Sequence, residues 1–196
     1  MTVVRLIVLA AWFFTPATAL AQKADAPAPA MFKFGETWEW KQVDNRTGKE
    51  VQKSSITVVN MSGQLRFFNG ESDESIDGWF RDGWLRPSSK PWRAWPLAVG
   101  KKWSVDSERV RPDGITVQVR QDVEVVAYEE VAVPAGRYKA FKIVHRGSYR
   151  NSRESGGELN DTYWYAPDAK ADVKHVRQIL GHLYTRELIS YQRAAP

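Results

Sequence analysis

Apolar and polar residues alternate across residues 115–126. Ile115, Val117, Val119, Val123 and Val125 fall on one side, and Thr116, Gln118, Arg120, Asp122 and Glu124 on the other. A period of two is that of a β-strand with one face buried. At about 3.3 Å per residue this strand would run to about 40 Å. Flat strands of that length are rare, so the pattern predicts one that bends within a curled sheet.

Shorter segments of the same period surround it. Residues 36–43 and 51–60 read as a hairpin across residues 44–48, with Trp38 and Trp40 on one face, and 64–69 follows as a third strand. Residues 103–110 pair with the long strand through Arg111-Pro112-Asp113-Gly114, a sequence suited to a tight turn. Residues 137–149, 158–166, 173–180 and 184–191 complete a meander. No stretch sustains a helical period beyond about two turns. The expected fold is all-β: one antiparallel sheet curled into a partial barrel, or a two-sheet sandwich.

Ahead of the first strand the pattern changes. Residues 1–21 read as a Sec-type signal peptide, in which Arg5 is the only charge, 6–14 is apolar, Pro16 breaks the run and Ala19-Leu20-Ala21 forms a small-x-small cleavage site. The uncharged stretch falls short of the roughly 20 residues that cross a bilayer. Cleavage before Gln22 is therefore expected, leaving no transmembrane segment and a periplasmic or secreted product. Residues 22–30, with Ala-Pro-Ala-Pro-Ala, read as an extended linker unable to form a ladder, and 31–193 as a single β-rich domain. The chain has no cysteine, which excludes a disulfide framework, a thiolate metal site and lipid attachment at cysteine.

The formal charge of +5 drops by one with Arg5. An exported, mildly basic surface meets lipid head groups or acidic polysaccharide rather than nucleic acid. Lys142, Arg146 and Arg150 recur at spacing four on one side of a strand. They form either a solvated sheet face or a docking surface for an anionic envelope polymer.

Tryptophan is the compositional signal. Trp79, Trp84, Trp92, Trp95 and Trp103 crowd a segment broken by Pro87, Pro91 and Pro96. Such a segment either fills core at the open end of a curled sheet or forms a ligand mouth. Trp79, Trp84, Trp92 and Trp95 are the candidate ligand-binding residues.

Residues 73–78, Asp-Glu-Ser-Ile-Asp-Gly, match the first half of a calcium loop, but Trp84 stands where the closing carboxylate belongs, so a polar surface turn is expected. His145, His175 and His182 have no metal-ligand spacing. His145 follows Phe141 and Ile143 at period two and is expected to point inward with a hydrogen bond. His175 and His182 flank a turn at Leu180-Gly181 and are expected close enough to approach one another. No nucleophile elbow, phosphate loop or zinc helix occurs, and neither metal nor cofactor is expected.

Three segments carry a resemblance: Trp95-Pro96-Leu97-Ala98-Val99-Gly100-Lys101-Lys102-Trp103, Val133-Pro134-Ala135-Gly136-Arg137-Tyr138-Lys139-Ala140-Phe141, and Thr162-Tyr163-Trp164-Tyr165-Ala166-Pro167. They resemble the TapB-like family of exported bacterial domains of unknown function. The resemblance implies a β-sheet envelope protein and brings no active site. After Pro167 the family pattern leads through a glycine-containing turn to Val-Lys, whereas this chain has Asp168-Ala169-Lys170-Ala171-Asp172 before Val173. The expected function is a non-catalytic envelope protein that holds a lipid-like, apolar or glycan-derived ligand on an aromatic face. The alternatives are a hydrolase using carboxylates or His145, and a structural protein without ligand.

Overall fold

The computed structural model describes residues 25–26, 32–76, 92–111 and 113–194. The expected signal peptide and the tryptophans Trp79 and Trp84 lie outside them. In chain order the strands are β1 (Asp25–Ala26), β2 (Thr37–Asp44), β3 (Glu50–Met61), β4 (Gln64–Phe68), β5 (Asp73–Ser75), β6 (Leu97–Ala98), β7 (Lys102–Val110), β8 (Thr116–Val133), β9 (Gly136–Asn151), β10 (Gly156–Ala166), β11 (Ala171–Ile179) and β12 (His182–Gln192). Ten of them form one antiparallel sheet in the order β5-β4-β3-β2-β12-β11-β10-β9-β8-β7, whose ends do not pair. The sheet is therefore open, neither a closed barrel nor a sandwich of two large sheets.

Two meanders make up the sheet, and the pairing of β2 with β12 joins them, Trp40 opposite Leu188 and Trp38 opposite Tyr191. Of the segment read as a linker the described residues are Asp25 and Ala26, which pair with Ala98 and Leu97 and so form a short ladder that the sequence reading did not expect. Asp73–Ser75, expected as a turn, is instead an edge strand on β4, with Arg66 bonded to Asp73. Asp77 and Gly78 lie outside the described residues.

The curl is visible in contacts between strands far apart in the sheet. A bulge between Val125 and Ala127 bends β8, as an extra residue on one strand does. Beyond the bulge the β8–β9 hairpin folds over. Its turn reaches β12, where the Ala135 N–H donates to the Leu188 carbonyl at 3.1 Å. Val131, Val133 and Tyr138 pack against the cluster of Trp38, Trp40, Phe67 and Leu188. A second cluster holds Val123, Val125, Phe141, Ile143, Tyr163 and Tyr165, with Trp92, Trp95 and Trp103 against it.

Local chemistry explains the turns. Gly136 has φ 133, where an L side chain is strained, and follows Pro134, which has no donor to extend β8. After Pro167 a 3-10 turn ends on Lys170 at φ 54, so here a lysine takes a left-handed backbone that glycine adopts most easily. Its ammonium lies 2.6 Å from Glu36 Oε1, tying β11 to the start of β2.

Candidate functional site

Period two on β10 turns Leu159, Asp161, Tyr163 and Tyr165 to the concave face. The register then sets His145, Asp161 and Arg177 side by side on β9, β10 and β11. The neighbouring row runs Tyr163, His175, Arg186, Gln42 and Gln52 across β10, β11, β12, β2 and β3. These rows run from a buried polar pair, His145 and Asp161, out to the exposed Gln52 and make one polar network.

Asp161 is its centre. His175 Nε2 and Arg177 Nε each lie 2.7 Å from Oδ1, and Gln121 Nε2 donates to Oδ2 at 3.1 Å and to the Leu159 carbonyl. Burial works to raise the Asp161 pKa, but the His175 hydrogen bond and the Arg177 charge overcome it and hold the carboxyl far below its usual range. Burial lowers the His175 pKa against the pull of Asp161, so the ring is neutral at pH 7. An ionised carboxylate only accepts, which places the His175 proton on Nε2. Tyr163 stacks on that ring at 4.1 Å between centroids.

His145 is fully buried and points inward. The expected hydrogen bond is absent: neither ring nitrogen has a partner among the described residues. The ring is boxed instead by Trp92 at 4.6 Å, Tyr163 at 5.0 Å and Trp103 at 6.4 Å. Burial, then the nearby Arg93 charge, drives its pKa well down. The other two histidines do not meet either. Ile179 pairs with His182, whereas His175 lies opposite Arg186.

A cavity of about 690 Å³ opens on the concave face. Trp92 and Trp95 line it, joined by Trp38 and Trp40 from β2. All four also pack in the core, Trp38 and Trp40 almost fully buried. The indole N–H groups of Trp38 and Trp40 donate to the carbonyls of Ala169 and Asp172 at 2.7 and 2.8 Å, locking these rings in place. Arg93, also lining the cavity, gives Nη2 to both oxygens of Asp172 at 2.7 Å and lies over Tyr163 and Tyr165. Arg186 lies 4.4 Å from the centroid of Trp40 and donates to Ser54 Oγ at 3.1 Å. Burial lowers its pKa to about 10. The sequence reading overlooked Arg93, Asp161, Asp172, His175 and Arg186 as members of one site. The available signal was a charged residue at an inward position of a period-two strand, as at Asp161 between Leu159 and Tyr163.

On the opposite face of β9, Lys142 lies over Trp164 at 5.3 Å and 3.9 Å from Glu129. Arg146 pairs in register with Asp122 and Asn160. No helix among the described residues is long and apolar enough to cross a membrane.

The fold is similar to that of a protein described as a lipoprotein from Parabacteroides distasonis, with TM-score 0.56 and 14% identity over 86% of this chain and 100% of that one. The likeness is one of fold alone. A protein described as exported, with a YmcC-like fold, from Bacteroides fragilis matches at TM-score 0.47 and 11% identity, over 87% of this chain and 100% of that one. No protein-family model and no curated protein matches the chain, so the resemblance to the TapB-like family rests on the three segments quoted above.

Proposed function

We propose that this is an exported, non-catalytic envelope protein whose concave face binds a glycan-derived ligand. The observation that carries the reading is the cavity wall. Planar hydrogen-bonding side chains, Gln42, Gln52, Asn69 and Arg93 among them, line a volume of about 690 Å³ together with Trp92, Trp95 and Tyr165. Hydrogen-bonding groups beside aromatic rings suit a ring edged with hydroxyls and faced with C–H. An acyl chain would ask for a continuous apolar lining, and here Ser54, Ser55, Asp172 and Arg177 interrupt it. Export is supported by the leader pattern of residues 1–21.

The hydrolase alternative has less support. A glycosidase needs two carboxyl groups free to act, one with a raised pKa. Asp161 is committed to three donors, Asp172 to Arg93, and Glu36 to Lys170, and the other acids lining the cavity, Glu71 and Glu74, stand at its exposed rim. The pKa values of Asp161 and Glu36 are shifted down. Native mass spectrometry on protein purified from an envelope fraction, with tryptophan emission followed during oligosaccharide titration, tests the reading. A saccharide mass retained by the wild type and lost in Trp92→Ala is expected. Retention of a fatty acid, or of nothing together with unchanged emission, would count against it.

A further inference from the structure

We infer that Arg186 forms an anion subsite in this cavity, and that the ligand carries an oxyanion, a carboxylate or a phosphate ester, on a sugar. The inference rests on the glycan reading and adds the charge of the ligand to it. Of the five cations lining the cavity, three are each matched by an acid, Arg93 by Asp172, Arg177 by Asp161 and Lys170 by Glu36, and Lys53 is exposed to water. Arg186 differs. It is half-buried, lines the cavity, and has no carboxylate within ion-pair distance among the described residues. Its polar partner is the neutral hydroxyl of Ser54, and its guanidinium lies over the face of Trp40.

A guanidinium has five N–H donors in a fixed fork, and a single serine oxygen leaves most of them to other acceptors. Taking this cation out of water with no carboxylate in direct contact is costly, and burial lowers its pKa even against the more distant charge of Asp172. The Trp40 face and Ser54 hold the fork in place before any ligand arrives, which reduces the ordering cost of binding. Gln42 and His175 flank Arg186 in the register, and both are neutral. An oxyanion at this point would supply acceptors and a directly paired charge together. The cavity of about 690 Å³ far exceeds what a lone inorganic anion fills, so the anion is one substituent of a larger ligand.

The test is a glycan array bearing neutral, uronate-containing and phosphorylated oligosaccharides, probed with the intact protein. Solution titrations of the hits, of inorganic phosphate and of dodecanoate follow. Acidic glycans are expected to bind at least about tenfold tighter than their neutral counterparts, the size of a charge-assisted hydrogen bond. Uronate hits would assign a carboxylate, and phosphorylated hits a phosphate ester. Arg186→Gln should abolish the preference and leave the weaker neutral binding. Should that variant unfold, the wild type still decides the matter, since the preference must shrink between about 50 and 500 mM salt. Equal binding of neutral and acidic glycans would overturn the anion subsite and leave the glycan reading standing. Inorganic phosphate binding as tightly as the glycans would reduce the site to a simple anion site and overturn the inference. Binding of dodecanoate with no glycan, or no binding in any arm, would remove both readings.

Discussion

His145 is Cα partner to Asp161 across β9 and β10, yet the imidazole makes no hydrogen bond to that carboxylate, whose three donors are His175, Arg177 and Gln121. One inward-facing row therefore holds a charge bonded to three donors beside a base with no partner among the described residues, and their contributions to stability differ accordingly.

The first prediction concerns acid. The pKa values of His145 and His175 are lowered by folding, so the unfolded chain binds protons that the folded chain refuses, and stability falls as pH drops below the ordinary histidine range. A histidine that stays neutral when folded accounts for about 2 kcal/mol between about pH 7.5 and 5. Asp161, with its lowered pKa, keeps its contribution above the ordinary carboxylate range and loses it only in stronger acid. Urea midpoints at the two pH values check this. His145→Leu should lie within about 1 kcal/mol of wild type at neutral pH, because it removes two unpaired polar atoms, and should show a smaller drop on acidification. An unchanged drop would place the acid sensitivity elsewhere.

Gly147 is the second test. A Cβ built there would lie 1.9 Å from the Arg120 carbonyl oxygen and 2.7 Å from Gln121 Cα, both backbone atoms of β8. Gly147→Ala must push β8 away from β9, and a loss of about 3 kcal/mol or more is expected. A midpoint within about 0.5 kcal/mol of wild type would show that these strands do not approach so closely.

The two faces of β8 supply the third. Val119 and Val123 are buried, whereas Gln118 and Arg120 are exposed. Truncation to alanine should cost about 1 to 3 kcal/mol at either valine and at most about 0.5 kcal/mol at Gln118 or Arg120. Equal losses on both faces would mean that the outer face is covered.

Lys170 separates backbone strain from charge. Lys170→Gly and Lys170→Ala both remove the contact to Glu36, but only glycine relaxes at φ 54. The glycine variant should be the more stable of the two by about 1 kcal/mol. Equal melting temperatures would show that the left-handed turn carries no strain.

The strands and hairpins were legible because their information is local. Period two marked the faces of β8, and Asp113-Gly114 and Pro134-Ala135-Gly136 marked turns between neighbours in sequence. Residues 115–126 nonetheless stop short of Val133, where β8 ends. They end where the bulge between Val125 and Ala127 shifts the pairing, and within them Gln121, a polar residue, is buried because Asp161 and the Leu159 carbonyl satisfy its amide. The candidate site was not legible in the same way. Trp92 and Trp95 were in view, while Arg93, read as loop, becomes a wall of the cavity only when Asp172 comes to it across 79 residues of sequence. Trp40 and Arg186 meet because β2 pairs with β12, a closure made by packing between the two ends of the domain. Alternation and turn chemistry determined which residues face inward; long-range register and the curl of the sheet decided which of them touch. No residue's own preferences encode a partner more than a hundred positions away.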